Sequence, residues 1–149
     1  MGIIKLKHEQ LYKALDRLQE AVEDFERVAK NGKFAGFTDQ EKIFRTFRDS
    51  MIQRFEFCVD LSWKYLKRYL EEELKQIVDI NAPKPVIRMA CKAKLIEEVE
   101  TQTLLEMIND RNLSSHIYKE EIADQISSRI KKYYELMRMV VDRLCLRDN

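Results

Sequence analysis

Three glycines and two prolines in 149 residues leave this chain few places to turn. A sheet protein needs a turn every few residues, and turns draw on Gly and Pro. The chain must therefore cover its length in long helices. The apolar residues agree. Leu11, Leu15, Leu18, Val22, Phe25 and Val28 recur at steps of three and four, the period of one helix face. This predicts a first helix over about residues 8–30, stopped by Asn31-Gly32.

The second helix is expected to open at Thr38, with Glu41 completing a capping box, and to run to about Leu74. It carries two apolar stripes. One is Phe44, Phe47, Met51, Phe55, Cys58, Ser62 and Tyr65; beside it run Ile52, Val59, Trp63, Leu66 and Leu70. A helix apolar over so much of its circumference is central in its bundle or faces another subunit. A shorter third helix begins near Pro83, with Val86, Ile87, Ala90 and Cys91 inward. A short fourth segment follows over about Thr103–Asp110, with Thr103 and Glu106 as a capping box, and a last helix over about Lys119–Leu144. The reading is all-α: an up-and-down bundle of four main helices and one short one, a single domain over residues 1–149.

Charge excludes some functions. With 27 basic and 26 acidic residues the net charge is +1, so no overall field favours nucleic acid or an anionic membrane. Any phosphate contact must come from a local patch. No stretch is apolar for a bilayer span, and no signal peptide is expected at the N-terminus, which points to the cytoplasm. Cys58, Cys91 and Cys145 are far apart and odd in number, which suits reduced thiols. Neither a metal site nor a cofactor is expected, since no Cys-x-x-Cys or Glu-x-x-His pattern is present.

One stretch breaks the plain helical pattern: DRNLSSHIY, residues 110–118. On one continuous helix Arg111 and His116 would point about 140° apart. Across a break at Ser114-Ser115 they can converge. Histidine exchanges protons near neutral pH, and arginine offers a charged fork to phosphate oxygens. Metal-free RNA cleavage needs both kinds of group, and a symmetric dimer facing two such loops would double the set. The second stripe of the long helix is the candidate dimer surface. A structural role explains the same residues: an Asp110–Arg111 surface ion pair, a Ser115 cap, one hydrogen bond from His116. Composition and spacing alone favour that structural role. Arg54 and Glu56, charges within the apolar run, are either solvated or anchor the Arg111–His116 loop from inside. Lys64, Lys67 and Arg68 read as a solvated face.

The blocks MIQRFEFCVDLSWKYLKRYLEE, APKPVIRMACKAKLIEE and LLEMINDRNLSSHIYKEE, in this order, resemble the nucleotidyltransferase substrate-binding proteins of the HEPN superfamily over about residues 8–145. The resemblance implies a helical bundle that forms a homodimer and a complex with a separately encoded minimal nucleotidyltransferase (MNT). Many HEPN proteins are metal-independent ribonucleases whose motif is Arg, four to six residues, then His; Arg111 and His116 match it. It further implies that Asn112 is the polar residue that often follows the Arg. It implies that Tyr118 is the tyrosine that an MNT antitoxin adenylylates to silence a HEPN toxin. Ala82 departs from the Ser usual before the Pro, a lost cap of about 1 kcal/mol. The chain itself has no Gly-Ser followed by Asp-x-Asp, so any nucleotidyl transfer belongs to the partner. The expectation is an MNT partner subunit, a toxin and endoribonuclease. The alternative is a non-catalytic subunit that presents RNA or a nucleotide to the nucleotidyltransferase.

Overall fold

A computed structural model describes residues 2–31, 39–115 and 119–148. Among these there are five helices and no strand: α1 (Gly2–Asn31), α2 (Gln40–Glu72), α3 (Pro83–Lys92), α4 (Glu98–Ser114) and α5 (Glu120–Asp148). The all-α bundle expected from the turn-poor sequence is the fold observed.

α2 is the hub, since α1, α3, α4 and α5 all pack against it. Its two stripes explain why. Met51, Phe55, Cys58 and Tyr65 of one stripe are buried, and so are Ile52, Val59, Trp63, Leu66 and Leu70 of the other. The second stripe is therefore consumed inside the protomer and offers no surface to a second copy. Burial of this many large side chains, at roughly 1.5–3 kcal/mol each, outweighs the weak intrinsic helix preference of the aromatic and β-branched residues in the stripes.

Local signals set the helix ends. The cap of α2 is Asp39 rather than Thr38, which lies outside the described residues; its carboxylate accepts from the Lys42 N–H at 3.0 Å. α1 starts at Gly2 and not near residue 8, so His8 lies within it, its ring 4.4 Å from that of Tyr12. The stop at Asn31-Gly32 falls at the edge of the described residues. α3 opens with Pro83 in its first turn and Ala82 as an extended, side-chain-free cap.

The largest correction concerns α4. It is not a short segment over 103–110 but 17 residues long. Glu97 and Glu100, not Thr103 and Glu106, open it: the Glu100 carboxylate accepts from the Glu97 N–H at 2.8 Å. Arg143 of α5 then grips Glu100 with two bonds of 2.8 and 2.7 Å, which ties the start of α4 to α5. A tertiary partner has thus extended a helix beyond its apolar periodicity. The Cys58 thiol lies in the core, where burial pushes its pKa up to about 12. Cys91 and Cys145 are free thiols, half-buried. No helix among the described residues is long and apolar enough to cross a membrane.

Candidate functional site

The end of α4 carries Asp110, Arg111, Ser114 and Ser115. Their side chains divide between two neighbouring helices. Arg111 turns to α2, where Glu56 and Asp60 stand one turn apart on the same face. Its Nε and Nη2 donate to both oxygens of Asp60, at 3.1 and 3.0 Å. Its Nη1 donates to Glu56 Oε2 at 3.1 Å and to the Ser115 hydroxyl at 2.5 Å. The hydrogen bonds Arg111 donates to Asp60 raise its pKa further, against the burial that would lower it, so the guanidinium is permanently charged.

Glu56 is also the acceptor for the serines. Ser114 Oγ lies 2.7 Å from both Glu56 Oε2 and the Arg111 carbonyl, and its single proton serves one at a time. Ser115, where α4 stops, reaches Glu56 at 3.4 Å. Glu56 therefore pins the last turn of α4 to α2. The Asp60 side chain is 40% exposed and that of Arg111 24%, so the pair is open to solvent in part.

Asp110 does not pair with Arg111, as a surface reading would have it. It points to α5, buried, and accepts from Arg129 Nε and Nη2 at 2.7 and 3.0 Å and from the Tyr133 hydroxyl at 2.6 Å. Burial first, and then Asp110, pushes the Tyr133 pKa up, so the phenol stays a donor. Tyr133 in turn stacks on Phe55 of α2, centroids 5.7 Å apart.

A third cluster fixes the start of α5. Arg48 of α2, only 3% exposed, bonds Glu120 and Asp124 of α5 and its neighbour Asp49. Burial alone would lower the Arg48 pKa, but its three carboxylates raise it well above the ordinary arginine value. Both ends of the α4–α5 connection are thus anchored to α2. His116 and Tyr118, the other two members of the motif, lie within residues 116–118, outside the described residues.

Of the remaining expected residues, Asn112 is exposed. Arg54 is not brought to Arg111. Two positions from Glu56 is about 200° around a helix, and Arg54 faces α1 beside Arg17 and Phe57. Sequence reasoning missed Asp60, Arg48 and Arg129. Only Asp60 left a signal, its i, i+4 spacing from Glu56.

Comparisons with known proteins bear on the family and the fold. The family model described as "Nucleotidyltransferase substrate binding protein like" matches residues 6–145. A solved structure from Thermus thermophilus is 33% identical, with TM-score 0.71, covering 90% of this chain and 98% of that one. A Haemophilus influenzae structure, said to reveal the fold of a substrate-binding domain of a nucleotidyltransferase, is 24% identical, with TM-score 0.75, covering 92% and 98%. A tri-AMPylated Shewanella oneidensis HEPN toxin in complex with its MNT antitoxin is 16% identical, with TM-score 0.66, covering 91% and 96%. The last two likenesses carry the fold alone. None of the curated proteins compared matches the chain.

Proposed function

Since the chain belongs to the nucleotidyltransferase substrate-binding protein family, we propose that it is the partner subunit of a minimal nucleotidyltransferase and acts as the toxin of a HEPN/MNT pair, a metal-independent endoribonuclease of the cytoplasm. The observation that carries this reading is the bracing of Arg111. Two carboxylates on α2 hold a permanently charged fork at the end of α4, 24% exposed, five residues before the second of only two histidines.

In this reading Arg111 takes the scissile phosphate and His116 moves the proton of the attacking 2′-hydroxyl or of the leaving 5′-oxygen. Glu56 is a positioning residue, since it acts through Arg111 and the two serines. Asn112 is a polar contact beside the fork. Two protomers supply two copies of His116, so the active form is a homodimer. Its surface involves Phe57, 59% exposed on α2, now that the second stripe of that helix is occupied. Tyr118 is the residue whose hydroxyl takes AMP from ATP at the nucleotidyltransferase, with release of pyrophosphate, which adds a charged nucleotide to the motif and silences it.

The family description favours a second reading. The same bundle would be a non-catalytic subunit that presents RNA or a nucleotide to the enzyme, with Arg111 as a phosphate contact. The deciding experiment is incubation of total tRNA and mRNA with purified protein in EDTA, with His116→Ala alongside. The toxin reading expects cleavage by the parent protein and a loss of about 100-fold or more in the variant, the usual worth of one proton-transfer group. No cleavage by either protein, folded, dimeric and unmodified at Tyr118, selects the binding subunit.

A further inference from the structure

Between Asp79 and Glu97 stand Lys84, Arg88, Lys92 and Lys94, and not one carboxylate. Elsewhere the signs are mixed, so that without this stretch the chain would be net acidic. Lys84, Arg88 and Lys92 are spaced i, i+4, i+8 on α3 and so form one row. The row lies opposite Val86, Ile87 and Ala90, which are buried in the core. Arg88, Lys92 and Lys94 are exposed, and Lys84 is half-buried.

Among the described residues none of these four cations forms an ion pair. Several basic residues elsewhere on the bundle do, Lys67 with Glu71, Arg68 with Glu72 and Lys132 with Glu106, while Lys64 lies over the Trp63 ring. Helix stability does not account for the row. The helix dipole favours a cation at Lys92, in the last turn, but disfavours Lys84, in a first turn that holds no acid. Lys94 sits at φ 62°, in the left-handed position that glycine usually fills at a helix end. There the Leu95 N–H donates to the Ala90 carbonyl at 3.0 Å.

We propose that the outer face of α3 holds the sugar-phosphate backbone of a single-stranded RNA and leads it to the Arg111 motif, an inference that rests on the nuclease reading. Each four-residue step along α3 rises about 6 Å, comparable to the separation of neighbouring phosphates in an extended strand. α3 packs against α2 and α4, the two helices that hold Arg111 and its carboxylates. An unpaired row of cations binds phosphates by counterion release, without regard to sequence. A protein partner fits less well, because protein interfaces are depleted in lysine. An anionic membrane is the rival class, since Ile77 and Ile80 are exposed on the segment before α3.

The test measures binding of a labelled single-stranded oligouridylate to His116→Ala protein across a salt series, against the same protein carrying K84A, R88A and K92A. The single R88E variant, at an exposed position, serves as the check should the triple variant melt early. At fixed salt the triple variant should bind roughly tenfold or more weakly, and the log–log salt slope should shrink by about 2, near 0.7 for each lost phosphate contact. R88E should weaken binding without lowering the melting temperature. Equal affinity and slope in parent and variants would overturn the proposal, as would binding to phosphatidylserine vesicles with none to RNA. Cleavage separates the two ideas. Binding that needs α3 but leads to no cleavage by the parent protein keeps the α3 face and removes the nuclease. Cleavage whose KM is indifferent to the α3 substitutions keeps the nuclease and removes the α3 face.

Discussion

Arg111 is held by more negative charge than it carries. Glu56 and Asp60 together outweigh one guanidinium, and Asp60 occupies the bidentate side that a phosphate would want. In the proposed nuclease reading a substrate phosphate would therefore displace or share Asp60. Asp60→Asn should lower the KM for RNA several-fold, because the phosphate no longer competes with a carboxylate. Steady-state cleavage assays read this directly, and an unchanged KM would mean the phosphate does not meet Arg111 on that side. Glu56→Gln should act differently, loosening the last turn of α4 through Ser114 and Ser115 and lowering kcat. Asp110 is the structural counterpart. Asp110→Asn leaves Arg129 and Tyr133 without a charged acceptor and should cost roughly 1–3 kcal/mol, seen in urea unfolding.

At the scale of helices, the ion pairs that fix helix ends are acid-sensitive. The hydrogen bond from Arg143 first, opposed by burial, holds Glu100 below the ordinary carboxylate value of 4.5. That from Arg48 does the same for Glu120. A carboxylate with a depressed folded pKa contributes stability that is present in full above its unfolded pKa. That stability is lost as pH falls through the folded value. Unfolding midpoints should thus be flat near neutrality and fall below about pH 4.5. Glu100→Gln should flatten part of that fall; the same acid slope in parent and variant would assign it to other groups. The Asp39 cap is a further element-level term. Asp39→Ala should cost about 1 kcal/mol by loss of the bond to the Lys42 N–H.

For the whole molecule, the proposed homodimer needs an outer surface. α2 touches all four other helices and spends both apolar stripes on them. Such a dimer would use what is left outside, where Phe57 is an exposed aromatic of α2. Phe57→Glu should give a folded monomer by light scattering that no longer cleaves RNA. A dimer that persists in this variant would move the interface elsewhere on the surface.

Much of this protein was legible in its residues. The shortage of glycine and proline, the three-four apolar spacing and a proline in a first helical turn determined an all-α bundle, because helix formation is local and its core face repeats with the helix period. Arg111 and Glu56 stood out as charges in unusual company. The length of α4 did not, since its first turn depends on Arg143, 43 residues from Glu100. Nor did the partners of Asp110 and Arg48, which lie across the bundle on α5. The direction a charged side chain takes, and whether an apolar stripe faces a neighbouring helix or a second subunit, are decided by packing between distant segments. Only the tertiary structure supplies that.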